Sequence, residues 1–181
     1  MIKMENIKKL LILQFKKDGI NKKEYLELNE KEKRFLEIKK SKYYVKEKYR
    51  KKIKVVMTGG VFDILHYGHI KMLEKAKKCG DLLVVVLAND KNVKKYKNIT
   101  PFHNEKQRCS ILECLNLVDV VIVGKDNRED SLKRINPDVL VYGYDQKTFI
   151  THTKTVKFKC KEKGFNSSQM RDAINNKEYK C

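Results

Sequence analysis

Two histidines three residues apart, His66 and His69, are the side chains of this sequence best suited to chemistry. An apolar, β-branched run precedes them and apolar residues at helical spacing follow, so the pair lies at the N-terminus of a predicted helix. Free backbone N–H groups and the positive end of the helix dipole collect there, and Gly68 lets an anion approach the backbone. Because side chains three apart share a helix face, both imidazoles are predicted to contact one phosphoryl group.

The sequence around this pair resembles a known signature. The turn Gly59-Gly60-Val61-Phe62-Asp63 and the tetrad His66-Tyr67-Gly68-His69 are similar to those of the nucleotidyltransferase superfamily, which includes cytidylyltransferases, pantetheine-phosphate adenylyltransferases and archaeal FAD synthases. The resemblance extends from about Lys54 to Ile174. It implies that both histidines contact the nucleotide phosphates and stabilise charge on the α-phosphoryl group. It also implies nucleotide-binding residues at the end of the first strand, namely Thr58, Gly59, Gly60, Val61, Phe62 and Asp63.

The order of apolar runs and helical patterns from residue 53 onward predicts a doubly wound parallel sheet, which is a Rossmann-like α/β fold. The resemblance implies the HUP type of this fold. Ligands of such sheets bind beyond the carboxyl ends of the strands. The sequence lacks GxGxxG and GxxxxGKS or GxxxxGKT, which argues against dinucleotide oxidoreductases and P-loop kinases. The predicted strands are 53–58, 81–88, 119–123, 138–142 and 155–158, and the predicted helices are 68–79, 105–116 and 127–135.

The first 52 residues differ in composition from the nucleotidyltransferase domain predicted for residues 53–181. They hold 18 basic and 8 acidic residues. An apolar stripe predicts a first helix that ends near Asp18, and the pairs Asn21 with Glu24 and Asn29 with Glu32 predict two capped helices. Tyrosines set among lysines follow and predict a short ribbon. This small, mainly helical basic extension resembles a reduced winged-helix module. The alternative is an arm that packs on the catalytic domain or mediates homodimer formation.

Composition predicts anionic partners and a cytoplasmic location. The 42 basic and 23 acidic residues give a net charge of +19, which suits nucleotides or nucleic acid, although a solvated lysine-rich surface has the same composition. Five cysteines form no CxxC pair, and no secretory signal or long apolar span is present, so reduced thiols and no membrane span are expected. No cluster of four Cys or His ligands suggests zinc, and we predict no protein metal site. A metal held by His66 and His69 is the alternative.

Three further segments carry residues that match the family. In the segment that follows the second strand, Lys95 and Lys97 resemble lysines that reach the phosphates from a flexible loop. Arg108, in Glu105-Lys106-Gln107-Arg108, resembles the arginine that organises the acceptor side of the site. Near the end of the chain, a Ser-Ser pair opens a predicted helix with an arginine three residues on. The resemblance implies that this segment holds the β- and γ-phosphates. Its residues are Ser167, Ser168 and Arg171.

The choice of substrates depends on the turn after the fourth strand. Gly143-Tyr144-Asp145-Gln146 resembles the G-x-D-Q turn of archaeal FAD synthases, which borders the adenine and ribose. Tyr142, Tyr144 and Phe149 offer flat surfaces to an aromatic ring such as isoalloxazine or adenine. Glycerol-3-phosphate cytidylyltransferases share nearly all the other motifs and are the alternative. Only eight residues separate Gln146 from Thr155, whereas a parallel crossover normally contains a helix. We therefore expect a shortened or missing helix, a displaced last strand and a more open acceptor pocket.

These observations predict a cytoplasmic nucleotidyltransferase. It transfers a nucleoside monophosphate from a nucleoside triphosphate, accompanied by Mg²⁺, to a phosphomonoester and releases pyrophosphate. ATP with FMN is the leading pair, and CTP with glycerol 3-phosphate is the alternative. A hypothesis from another class is a nucleotide-sensing regulator that binds DNA through residues 1–52. The complete set of catalytic motifs argues against it, so nucleic acid is not the favoured partner.

Overall fold

The computed structural model describes residues 4–144, 146–148 and 151–158. Residues 4–52, called the N-terminal unit below, contain four helices and one hairpin. These elements are α1 (Met4–Lys17), α2 (Lys22–Glu27), α3 (Glu30–Lys33), β1 (Leu36–Lys39), β2 (Lys42–Val45) and α4 (Glu47–Arg50). The side chains of Asn21 and Asn29 accept the backbone N–H of Glu24 and Glu32, which confirms both predicted caps. The helices and the ribbon are therefore confirmed as elements, and the likeness to a winged helix stays a prediction.

A five-stranded parallel sheet with helices between its strands follows the N-terminal unit. These elements are β3 (Val55–Gly60), α5 (Tyr67–Lys77), β4 (Leu82–Leu87), α6 (Asp90–Lys97), α7 (Glu105–Glu113), β5 (Val120–Val123), α8 (Arg128–Ile135), β6 (Val139–Tyr142) and β7 (Lys154–Lys157). The strand order is β5-β4-β3-β6-β7, so the chain moves outward from β3 to β5 and then returns to β6. The predicted doubly wound sheet is confirmed. Its topological switch point lies between β3 and β6.

The two faces of the sheet are covered by different helices because side chains alternate along each strand. On one face Val55 belongs to a hydrophobic cluster with Leu11 of α1 and residues of α8. On the other face Val56 belongs to a cluster with Leu73 of α5 and Leu112 of α7. The N-terminal unit therefore supplies part of the cover of the sheet. The buried residues of α1 are Ile7, Leu10, Leu11 and Phe15.

A buried arginine joins the N-terminal unit to the amino edge of the sheet. The guanidinium of Arg50 donates to the backbone oxygens of Ile53 at 2.7 Å and Asn136 at 2.6 Å. It also donates to the carboxylate of Asp138 at 3.0 Å, and that carboxylate accepts the backbone N–H of Val55 at 2.7 Å. The carboxylate therefore holds the arginine and the first residue of β3 together.

The short connection between β6 and β7 contains no helix among its described residues, as predicted. The prediction that the last strand is displaced is wrong. β7 pairs in parallel with β6, in a register that places Lys154 opposite Val139 and Lys157 opposite Tyr142. The described residues of the connection, 143–144, 146–148 and 151–153, contain no helix.

Candidate active site

The two histidines lie side by side at the N-terminus of α5, near the switch point of the sheet. His66 is the N-cap residue, and its backbone oxygen accepts the N–H of His69 at 2.9 Å. The two rings are stacked, with centroids 3.9 Å apart and planes inclined by 28°. The structure therefore brings together the pair that the sequence predicts. Their ring nitrogens can contact one anion at the positive end of the helix dipole.

The environment of His69 keeps its imidazole neutral at pH 7. Burial, the neighbouring His66 and then the charge of Lys97 lower the pKa of His69 to about 4, whereas a hydrogen bond with the backbone of Ile64 raises it. The Nδ1 atom of His69 is buried and has no hydrogen-bond partner within the described part of the chain. A buried polar atom without a partner is costly, so this nitrogen suits contact with a polar ligand.

The glycine turn after β3 brings backbone close to the histidines. Phe62 has a positive φ of 49°, is 3% exposed, and places its ring 5.1 Å from the ring of His69. A Cβ on Gly60 would lie 2.9 Å from the Phe62 ring, and a Cβ on Gly59 would lie 3.1 Å from the backbone oxygen of Val86. The close packing of Phe62 against His69 thus requires a residue without a side chain at position 60.

Two residues predicted to bind nucleotide at this turn have buried side chains that contact protein. The hydroxyl of Thr58 donates to the backbone oxygen of Val141 at 2.9 Å, inside the sheet. The Asp63 carboxylate is buried and accepts the backbone N–H of His103 at 3.0 Å. These contacts fix the turn against β6 and against the segment that leads to α7. Sequence reasoning missed His103, for which the sequence offers no signal beyond the residue type.

Arg108 is completely buried, and its guanidinium connects several loops at the carboxyl edge of the sheet. It donates to the backbone oxygens of Val61, Ala88 and His103. It also donates to the carboxylate of Asp90, the first residue of α6, at 2.6 Å. The guanidinium thus joins the glycine turn, the end of β4 and the start of α6. Because Arg108 is completely buried, its contacts support a positioning role, and its contribution to catalysis stays a prediction.

The first turns of α6 and α7 are joined by two reciprocal hydrogen bonds, which the sequence analysis did not predict. The backbone N–H of Asp90 donates to Glu105, and the backbone N–H of Glu105 donates to Asp90, each at 3.0 Å. Each carboxylate therefore stabilises the N-terminus of the other helix. The sequence does contain a signal, because an asparagine cap precedes each acid: Asn89 accepts the N–H of Asn92, and Asn104 that of Gln107.

The prediction that Lys95 and Lys97 lie on a flexible loop is wrong, because both belong to α6. Residues two apart on an α-helix are separated by about 200° around its axis, so the two side chains point in different directions. Lys97 acts on the pKa of His69. The ammonium group of Lys95 lies over the ring of Tyr96 at 5.1 Å instead. The structure therefore links Lys97 electrostatically to His69, whereas the contact it shows for Lys95 is with Tyr96.

The turn after β6 lies beside the glycine turn across the switch point. The Gln146 side chain accepts the backbone N–H of Gly143 at 2.9 Å and donates to the backbone oxygen of Gly59 at 2.6 Å. Tyr144 in this turn is 39% exposed. The structure thus unites two of the segments predicted to bind nucleotide. The predicted site residues Asp145, Ser167, Ser168 and Arg171 lie outside the described residues.

Neither a protein metal cluster nor a membrane-spanning helix occurs in the described ranges. No group of three or more His, Cys, Asp or Glu side chains is placed to hold a metal ion there. None of the helices described has the length and apolar character needed to cross a bilayer.

A doubly wound sheet with paired imidazoles at a helix N-terminus beside its switch point defines a nucleotide-binding α/β protein. The profile of the cytidylyltransferase-like family matches residues 57–179, and the chain belongs to this family. It is therefore a nucleotidyltransferase, and the predicted family and enzyme class are confirmed.

Relatives of this chain include enzymes and a solved structure. The FAD synthase of Thermococcus sibiricus is 41% identical over 124 residues, which cover 67% of this chain and 81% of that protein. The FAD synthase of Thermococcus kodakarensis is 39% identical, with 69% and 83% covered. The bifunctional protein HldE of Campylobacter jejuni subsp. doylei is 40% identical, but the chain covers only 28% of it. A crystal structure of the lipopolysaccharide core biosynthesis protein from Thermoplasma volcanium gives a TM-score of 0.51 at 32% identity, covering 70% of this chain and 89% of that chain.

Proposed function

We propose that this protein is an FMN adenylyltransferase, which joins ATP and FMN into FAD and releases pyrophosphate. The observation that carries this choice is the similarity to FAD synthases over about four fifths of their length. Support comes from the paired histidines, from Lys97, and from the hydrogen bond that joins the turns after β3 and β6. The proposed location is the cytoplasm, and a homodimer or nucleic-acid binding by the N-terminal unit stays a prediction.

The chemistry requires alignment and charge stabilisation more than a strong base. A phosphate oxygen of FMN, already ionised at neutral pH, attacks the α-phosphorus of ATP. The bond from that phosphorus to the bridging oxygen breaks, and pyrophosphate leaves with the electron pair. His66 and His69 donate hydrogen bonds to the α-phosphoryl oxygens, on which charge accumulates. The one N–H of the neutral His69 ring is used by its hydrogen bond with the Ile64 backbone, so donation to the α-phosphoryl oxygen requires the second proton that the negative charge of the bound triphosphate favours.

The remaining groups bind and orient the substrates. The backbone of Gly59 and Gly60 borders the phosphates, and the turn at Gly143 borders the adenosine, because both lie at the switch point where such sheets bind ligands. Ser167, Ser168 and Arg171 are proposed, from the sequence signature, to hold the β- and γ-phosphates. When bound with the triphosphate, Mg²⁺ would neutralise part of its charge. That ion commonly keeps several waters and few protein ligands, so it needs no three-residue cluster.

The cytidylyltransferase alternative rests on the family description itself. It keeps the same roles for both histidines and replaces ATP by CTP and FMN by glycerol 3-phosphate. The two reactions therefore differ in substrates and not in mechanism, and only a substrate test separates them.

Pyrophosphate release by the purified full chain with Mg²⁺ tests the proposal, with ATP and CTP each combined with FMN and with glycerol 3-phosphate. Turnover that requires ATP and FMN together, with FAD as product, is the expected result. Turnover with CTP and glycerol 3-phosphate would replace the proposal by its alternative. No turnover in any combination, accompanied by tight and salt-dependent binding to duplex DNA, would favour the nucleotide-sensing regulator.

A further inference from the structure

A cavity of about 530 Å³ lies where the C-terminal end of α1, strand β2 and helix α8 meet. Phe15 of α1, Tyr44 of β2 and Ile135 of α8 contribute apolar walls. The helices α1 and α8 cover the face of the sheet opposite α5, whose first turn carries the paired histidines. The cavity is therefore separate from the candidate active site, and its volume is in the range of ordinary small-molecule sites.

The charged groups of this cavity differ between its floor and its rim. Arg50 is buried and the Arg134 side chain is 16% exposed, so both guanidinium groups lie at the floor. The exposed rim carries three lysines and three acidic residues, namely Lys39, Lys125, Lys133, Asp18, Glu47 and Asp130. Water and salt screen exposed charges more than buried ones. The floor therefore offers cations to a ligand, and the acidic lining residues lie where their charge is screened.

Arg134 keeps unused hydrogen-bond donors at this floor. Its guanidinium donates to the backbone oxygen of Phe15. Its Nε atom is buried and has no hydrogen-bond partner among the described residues. A carboxylate oxygen of Asp18 lies 3.9 Å from Nε, which is beyond hydrogen-bond distance. A buried donor without a partner is costly, so an anion that accepts from this guanidinium relieves that cost.

The other cations of the cavity differ in how far they are already paired. The charge of Arg50 is offset by Asp138, and its guanidinium also donates to two backbone oxygens. Lys39 forms an ion pair with Glu37 at 2.8 Å. Lys125 forms no ion pair within the described part of the chain. Arg134 and Lys125 are therefore the two cations best able to contact a ligand.

We propose that this cavity is a second ligand site, which binds a phosphate group through Arg134 and Lys125. Only six of the 42 basic residues are arginines, and two of the six lie at this floor. The planar donors of a guanidinium match the oxygens of a phosphate better than an ammonium group does. The apolar walls leave room for an organic part of the ligand. This site does not depend on the proposed function, because it involves neither the histidines nor the turns at the switch point.

Nuclear magnetic resonance of the arginine Nε–Hε groups tests the site at the atom concerned, because the sequence has only six arginines. Inorganic phosphate and AMP are titrated separately into the full ¹⁵N-labelled chain, and Arg134→Lys identifies the Arg134 signal by its loss. The Arg134 signal should shift with saturation, and the backbone amide of Ile135 serves as a second reporter. Arg128, exposed on the same helix and outside the cavity, is the internal control. Equal, non-saturating shifts at Arg134 and Arg128 would overturn the site.

A matched pair of lysine variants separates this site from general attraction by the net charge of +19. Lys125→Gln is expected to raise the Kd of phosphate, measured from the Arg134 signal, about 2- to 5-fold. Lys106→Gln removes an exposed lysine of α7 and changes the net charge equally, but it should leave this Kd unchanged. Both lysines are exposed, so the two variants are expected to fold like the original chain. Equal effects of the two substitutions would show non-specific attraction and contradict the proposal.

The choice of ligands distinguishes the sources of the phosphate. Binding of AMP at least tenfold tighter than that of inorganic phosphate would identify an organic phosphate, whereas equal affinities would identify the free ion, and both results support the site. Succinate tests the chemical class, because a dicarboxylate that binds more tightly than either phosphate would overturn the assignment. None of these measurements uses turnover, so they stand or fail separately from the formation of FAD.

Discussion

The sheet buries one arginine at its amino edge and another at its carboxyl edge, and the two have different tasks. Arg50 connects the N-terminal unit to the residues just before β3 and β6 through the backbone oxygens of Ile53 and Asn136 and the carboxylate of Asp138. Arg108 connects the turn after β3, the end of β4 and the start of α6. Both are fixed guanidinium groups that satisfy several acceptors at once.

The surroundings of the two arginines differ more than their own contacts. At the amino edge Arg50 lies beside the hydrophobic cluster that includes α1, and it also lines a cavity of about 530 Å³. At the carboxyl edge the loops joined by Arg108 carry a left-handed Phe62, stacked histidines and a lowered pKa at His69. Left-handed backbone occurs at both edges, since Asn136 has a φ of 46°, so the lowered pKa of His69 is the feature that distinguishes the carboxyl edge as a functional site. The comparison predicts that changes near the amino edge alter stability, whereas changes near the carboxyl edge alter activity.

The largest expected effect concerns α1 and stability alone. Leu11 is fully buried against the sheet, so Leu11→Ala should lower the free energy of unfolding by about 3 to 5 kcal/mol. Urea unfolding followed by circular dichroism measures this change. The kcat of the folded variant should stay within about twofold, since α1 lies on the face away from α5. Leu26→Ala, on an exposed side chain of α2, is the control.

His69→Ala should have the opposite effect to Leu11→Ala, because it should lower activity and leave stability nearly unchanged. It should lower kcat about 10²- to 10³-fold, because a hydrogen-bond donor to the developing charge is lost, and leave the unfolding free energy at pH 7 nearly unchanged. Pyrophosphate release at saturating substrates measures the rate. His152→Ala removes an exposed histidine and should keep full activity. Near-normal turnover by His69→Ala would exclude this residue from the mechanism.

Replacing each of the two buried arginines by lysine compares the amino and carboxyl edges of the sheet directly. Arg50→Lys and Arg108→Lys should each lower the unfolding free energy by about 2 to 3 kcal/mol, because a lysine cannot reach all the acceptors. Only Arg108→Lys should also lower kcat/KM, by about tenfold, as the glycine turn and α6 lose their common support. Equal activity of both variants would contradict the assignment of Arg108 as a positioning residue.

The smallest expected effect is a pH dependence of stability caused by His69. Its pKa of about 4 in the folded protein lies below the ordinary value of 6.5, so between these pH values the unfolded chain binds a proton that the folded chain does not. This contribution to stability is complete above pH 6.5 and is lost as the pH falls toward 4. Urea midpoints at pH 7 and pH 5 should reveal a difference of about 1 to 2 kcal/mol that is smaller in His69→Ala.

The local part of this fold could be predicted from the sequence because it depends on near neighbours. Apolar runs predicted the strands, and asparagine caps predicted two helices of the N-terminal unit. The order of elements predicted the doubly wound sheet. The loop prediction for residues 89–97 failed because lysines dominate the segment and leave Val93 as its only buried residue, although the Asn89 cap was present. The last strand was misjudged because an edge strand forms its register through contacts with β6, and the connection itself does not specify them.

By itself the sequence determined the class of chemistry. The spacing of His66 and His69 at a predicted helix start follows from local backbone geometry, and the composition favours anionic partners. Only the tertiary structure decided that Arg108 is buried and that Gln146 bridges two strand ends. Both facts depend on contacts between segments distant in sequence, and the packing of the whole chain sets those contacts.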